Sequence, residues 1–145
     1  MKTKHLGGRV LTSDELRQLA TNVRVTIPTP LAALLTSEAL VGLVFGLSEA
    51  QDESGLGADF KWMTCAEMID EANEAFPGIL AVRCGFLPIG QCLVGSGDPY
   101  FLRLSDGAVV RIPHDAARGA VLDCQQVEQV MPSIPALLNM ADISS

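Results

Sequence analysis

The stretch YFLRLSDGAVVRI, residues 100 to 112, constrains the fold more than any other, because it sets two apolar runs around an Asp106-Gly107 turn. That pattern predicts a β-hairpin. A two-residue loop at Asp106-Gly107 would set Leu102 opposite Arg111 and Arg103 opposite Val110, mixing polar and apolar side chains on each face. A three-residue loop, Ser105 to Gly107, instead pairs Leu104 with Ala108, Leu102 with Val110 and Tyr100 with Ile112, and one side becomes wholly apolar. Gly107 then supplies the left-handed residue of the turn. The sequence therefore predicts antiparallel sheet with this three-residue loop.

Helix signals surround the hairpin. Thr12 with Glu15, and Thr64 with Glu67, are capping boxes that open helices running to about Ala20 and through TCAEMIDEANEAF. Pro30 suits the first position of a helix PLAALLTSEAL, and Ser133 caps a closing helix that turns Leu137, Leu138 and Ala141 inward. VGLVFGL and FKWM read as strands. ILAVRCGFLPIGQCL reads as one or two strands with a bend, broken by Gly85, Pro88 and Gly90, and VLDCQQVEQV as a further strand. In the helix after Thr64, Cys65, Met68, Ile69, Ala72 and Phe76 form the stripe expected to pack on the core.

GQCLVGSGDPY, residues 90 to 100, has the glycine spacing of a phosphate loop but not its chemistry. Ser96 and Gly97 stand where a Walker loop needs Lys and Ser or Thr, and the chain runs on into a strand rather than a helix N-terminus. These glycines are expected to form a turn or bulge, with Asp98 capping backbone donors and Pro99 fixing the entry. No cofactor is expected.

The net charge of −7 belongs to one stretch. Residues 49 to 74 hold Glu49, Asp52, Glu53, Asp59, Glu67, Asp70, Glu71 and Glu74 against Lys61 alone, which accounts for the whole imbalance. Such a surface would repel nucleic acid. It reads in two ways: a solvated face, or a face that docks on a basic protein partner. Trp62 beside it reads either as core or as an aromatic anchor.

Cys65, Cys84, Cys92 and Cys124 form no close pair in sequence and read as reduced, buried thiols. With only His5 and His114 to help them, a metal site is not expected. The longest apolar run, LVGLVF, falls far short of the roughly 20 residues of a membrane span, and Asp14 and Glu15 interrupt any signal-peptide pattern, so cytoplasmic residence is the expectation.

FLPIG at Phe86 to Gly90, GSGDPYFLRLSDGAVVRIPHD at Gly95 to Asp115 and VEQVMPSIPALL near the end follow one another in an order that resembles the SUKH superfamily of bacterial toxin-immunity proteins and fungal cell-wall assembly regulators. Pro88, Gly90, Gly97, Asp98, Tyr100, Asp106, Gly107, Val109, His114 and Asp115 carry the likeness. It covers residues 24 to 141, which leaves 1 to 23 as a helical extension and 142 to 145 as a tail. The resemblance implies a single α+β domain, a mostly antiparallel sheet wrapped by helices, without catalytic chemistry. It also implies an immunity-type module that neutralises a toxin, often a nuclease, but it carries over no partner contacts by position; the charge distribution supplies the candidates, the acids named above with Trp62 beside them. A regulatory or scaffold domain of the same fold, including one that forms a homodimer, is the alternative. A hydrolase built on Cys92 and His114 with Asp115 or Asp98 is the remaining class.

Overall fold

The computed structural model describes residues 8–93 and 97–144; the expectations that touch His5, Gly95 and Ser96 fall outside them. Helices α1 (Ser13–Val23) and α2 (Thr29–Ser37) precede strands β1 (Val44–Leu47) and β2 (Ala58–Trp62). Then come α3 (Cys65–Glu74), α4 (Gly78–Arg83), β3 (Phe86–Cys92), β4 (Tyr100–Arg103) and β5 (Val109–Arg111). A small β6–β7 ribbon (Ala117–Arg118, Val121–Leu122), β8 (Glu128–Met131), α5 (Ile134–Met140) and β9 (Asp142–Ser144) complete the chain. The fold is α+β, a single domain on a seven-stranded antiparallel sheet ordered β8-β5-β4-β3-β2-β1-β9. Among the described residues no helix is long and apolar enough to cross a membrane.

The caps form as their sequences require. Thr12 accepts from the Glu15 amide while Glu15 reaches back to the Thr12 amide, and Thr64 with Glu67 repeats the exchange. Ser133 accepts from Ala136 N–H at 3.1 Å and opens α5. Helix α1 is built into the main core through Leu19 and Val23, and residues 142–144 add an edge strand to β1.

Two apolar layers sandwich the middle of the sheet. Leu19, Leu35, Phe45, Phe60, Trp62, Met68, Tyr100, Leu102, Val109 and Leu137 belong to the larger core. Leu80, Phe86, Phe101, Val110, Ile112 and Leu122 form a second one. Alternate residues of β4 and β5 thus point into different cores. Each large side chain buried in this way contributes roughly 1.5–3 kcal/mol.

The double burial corrects the hairpin. The observed pairs are Tyr100 with Arg111, Phe101 with Val110 and Leu102 with Val109, joined by a four-residue loop, Leu104 to Gly107, in place of the three-residue one. A rule that seeks one apolar and one wet face fails where both faces are dry. Gly107 does take the left-handed conformation, at φ +82°. Asp106 Oδ1 closes the turn by accepting from Ala108 N–H at 3.0 Å, and its carboxylate holds Arg103 at 2.8–3.0 Å.

Four further expectations are corrected. Residues 79–83 of the apolar run belong to helix α4 (Gly78–Arg83), because Leu80 and Ala81 on one side of a short helix fill the second core. VLDCQQVEQV is divided into β7, a 3-10 turn at Cys124–Gln126 and β8. Helix α3 stops at Glu74, so Phe76 leaves the apolar stripe and stands 52% exposed. Of the four thiols Cys65 alone is buried; Cys92 is half-buried, and Cys84 and Cys124 are exposed.

Candidate functional site

The acidic stretch divides between two places. At one end of the sheet Asp52 is 2% exposed and Arg111 5% exposed. Arg111 donates from Nε to Glu128 Oε1 at 2.9 Å, from Nη1 to the Gly57 carbonyl at 3.0 Å and the Tyr100 hydroxyl at 3.1 Å, and from Nη2 to Ser54 Oγ at 2.6 Å. Ser54 in turn donates its hydroxyl and its amide to Asp52 Oδ1, each at 2.7 Å. Asp52 Oδ2 lies 3.6 Å from Arg111 Nη1, an ion pair without a hydrogen bond. Burial opposes the charge on Arg111, but Glu128, Tyr100 and Asp52 outweigh it, and the guanidinium holds its proton above its ordinary range.

Asp52 is therefore not a surface contact. It is half of a buried ion pair that ties the β1–β2 connection to β5, since two charges taken out of water must satisfy each other. Its neighbours on that connection differ. Glu49 is exposed, Glu53 accepts from Gln129 Nε2 at 2.7 Å, and Asp59 borders an open hollow of about 800 Å³ beside Tyr100 and Arg111.

Trp62 is corrected as well. It is 1% exposed, with its ring 5.8 Å from Phe45 and 6.5 Å from Phe60, so it is core and offers no anchor. Its place follows from the alternation of β2, in which Ala58, Phe60 and Trp62 face inward and Lys61 outward.

The other place is the outer face of α3. Glu67, Asp70, Glu71 and Glu74 line an open groove of about 860 Å³, bounded on its far side by Gln91 of β3, by Leu93 just after it, and by Gly97 and Pro99 before β4. The capping box at Thr64 fixes the rotation of the helix, so that Met68 and Ala72 go to the core and the carboxylates go outward. Glu67 is held on both oxygens, by the Thr64 amide at 2.9 Å and by Gln91 Nε2 at 3.2 Å. Burial pushes the Glu71 carboxyl above the usual carboxylate range, against the pull of the Gly78 amide it accepts from at 3.2 Å and of nearby His114. Asp70 and Glu74 are exposed, and among the described residues none of the four carboxylates is ion-paired with Lys or Arg.

The motif residues stand around this groove and the hairpin. Pro88 and Gly90 are buried in β3, and Gly90 sits where any side chain would run into the Phe60 ring. Tyr100 stacks on that ring at 4.4 Å between centroids. Asp98 Oδ1 accepts the His114 amide at 3.0 Å and meets His114 Nδ1 at 2.7 Å, the backbone capping expected of it, and Asp115 is exposed in the same 3-10 turn. The Asp98 carboxylate orients the imidazole next to Glu71, while Cys92 borders both hollows from the end of β3. Among the described residues no group of three or more His, Cys, Asp or Glu side chains is arranged to hold a metal.

Arg111 and Gln91 were not singled out by sequence reasoning. For Arg111 a signal existed: a lone cation inside VVRI, on a strand whose neighbours are all apolar. For Gln91 there was none, because its role depends on β3 passing beside α3.

No family model matches the chain. A stretch of 67 residues, 46% of the chain, is 33% identical to mannose-6-phosphate isomerase of Eremothecium gossypii and 30% identical to that of Saccharomyces cerevisiae. The match covers 14% of the length of each of these curated relatives.

Proposed function

We propose that the chain is a non-catalytic protein-binding module of the immunity type, which neutralises a basic toxin domain such as a nuclease through the acidic groove on α3. The reading is supported above all by one observation: Glu67, Asp70, Glu71 and Glu74 share a single open groove and have no Lys or Arg paired to them among the described residues. Like charges at these spacings repel by about 0.2–0.5 kcal/mol per pair, a cost that a cationic partner would reverse. Carboxylates can also occupy the phosphate positions of a nuclease cleft, and their field would speed the encounter.

Co-expression with a nuclease toxin encoded beside its gene tests this directly. The wild-type chain should restore growth, and the double variant Asp70→Lys with Glu74→Lys should fail to do so while keeping its fold. Both positions are exposed and outside the cap, so the variant isolates charge. Full protection by the variant, with affinity unchanged between low and high salt, would refute docking through this groove.

A further inference from the structure

Of the seven arginines in the chain, five are paired with carboxylates: Arg9 with Glu15, Arg17 with Asp14, Arg103 with Asp106, Arg111 with Asp52 and Glu128, and Arg118 with Asp123. Arg24 and Arg83 are the other two. Neither has an ion pair or a side-chain hydrogen bond among the described residues, both are exposed, and both border one cavity of about 500 Å³. It lies where the C-terminal end of α1 meets α3 and α4. Asn22 and Asn73 bring carboxamides to it, half-buried Ile79 and Val82 bring apolar surface, and no carboxylate borders it. In a chain of net charge −7 this is a cationic enclosure, and it shares no residue with the acidic groove.

Basic side chains at helix C-termini commonly serve the last carbonyls of the helix. Here those carbonyls are already taken. Ala20 O accepts from the Arg24 and Val25 amides, Asn22 O from Asn73 Nδ2 at 3.3 Å, and the Ala81 and Val82 carbonyls from the Cys84 and Gly85 amides. The two guanidiniums are therefore left without that task. Arg24 also sits at φ +62°, the one non-glycine residue in the left-handed region among those described. A residue with a Cβ is disfavoured there, and strain of this kind concentrates where a side chain must be presented.

We propose that this cavity binds a small organic phosphomonoester, with Arg24 and Arg83 donating to its phosphate. A guanidinium offers a planar fork of N–H groups that matches phosphate oxygens two at a time. A phosphomonoester loses its second proton at a pKa of about 6, so two cations meet a dianion at neutral pH, where a carboxylate supplies one charge only. The volume exceeds what a bare phosphate needs and falls within the roughly 300–1,000 Å³ of small-molecule sites. Ile79 and Val82 give the organic part apolar surface to rest on, and Asn22 and Asn73 give it amide groups at the same cavity.

The test is a titration of the full-length, nitrogen-15-labelled chain with phenyl phosphate, inorganic phosphate and benzoate, at fixed ionic strength and a pH where the phosphates are dianionic. Backbone amide and arginine Nε–H signals are followed by NMR. Phenyl phosphate should give saturable shifts at Arg24, Arg83 and the amides around Asn73 and Ile79, at lower concentration than inorganic phosphate and about tenfold lower than benzoate. Arg24→Gln and Arg83→Gln should each weaken binding about tenfold or more, since each removes charge-assisted hydrogen bonds, with the remaining signals in place. If Arg24→Gln disturbs its turn, Arg83→Gln decides alone. Lys61→Gln, which removes an exposed cation outside the cavity, should bind as the wild type does. Shifts that do not saturate, or that survive Arg83→Gln, would overturn the proposal. So would equal affinity for inorganic phosphate or benzoate, or a loss of binding in Lys61→Gln.

Discussion

Asp52 and Asp70 come from the same acidic run, yet the molecule treats them oppositely. Asp52 is buried, paired with Arg111 and shielded by Ser54, whereas Asp70 stands on the outer face of α3 with no Lys or Arg paired to it among the described residues. Formal charge per residue is equal in both places. What differs is the cation: β5 delivers a guanidinium to the β1–β2 connection, and the described chain delivers none to α3. A count of acids in the sequence therefore overstates the exposed acidic surface and hides a structural pair within it.

The largest expected effect comes from breaking the buried half. Arg111→Leu strands Asp52 and Glu128 at that end of the sheet and should cost about 3–5 kcal/mol in urea unfolding, the range for removing one partner of a buried pair. A loss below about 1 kcal/mol would mean that water reaches Asp52 and that the contrast with α3 is false.

On the exposed half the first consequence is for binding. Asp70→Lys with Glu74→Lys should weaken affinity for a cationic partner by about tenfold or more, roughly 1.4 kcal/mol, and flatten its salt dependence in calorimetry.

Glu71 lies between the two extremes, and its stability effect should be smaller. Its folded-state proton affinity is raised by burial, so the ionised carboxyl costs stability at neutral pH. That cost disappears as pH falls through the raised folded value toward the unfolded one. Glu71→Gln should therefore stabilise the protein by roughly 0.5 kcal/mol near pH 7, a figure kept small because the carboxyl still meets water. The gain should vanish in acid. A destabilised variant would show that the charged hydrogen bond to the Gly78 amide outweighs burial.

The smallest effect is expected at Glu74→Gln, where relief of repulsion along α3 should add no more than about 0.2–0.5 kcal/mol to thermal stability. Glu15 provides a control outside the acidic run. Its carboxyl is held down to about 2 by Arg9 and the Thr12 amide, so its contribution is present at neutral pH and is lost progressively as pH falls from the ordinary carboxylate range through that value.

Local chemistry was legible in the sequence. The caps at Thr12, Thr64 and Ser133 needed only residues three or four apart, and the helices formed where they pointed. The α+β class was implied by the resemblance in motif order, and the helix signals and the hairpin agreed with it. What escaped depended on neighbours distant in sequence. The hairpin register was set by a second core under β4 and β5, and the start of the apolar run before β3 became part of α4 through the same layer, a case that periodicity alone does not decide. Within the candidate site the α3 face was readable from its own period. Asp52 was not, because Arg111 reaches it from a strand far along the chain, and the same holds for the inward turn of Trp62 against Phe45.

The chain has a single tryptophan and a single tyrosine, and Trp62 and Tyr100 both belong to the ring row that runs through Phe45 and Phe60. Ultraviolet emission from this molecule therefore originates in its dry interior and is blue-shifted, with Tyr100 one ring away from Trp62 along that row. It reports loss of the main core as a red shift. It stays quiet when something settles on the outer face of α3, so a dye placed on that helix is the probe that docking requires.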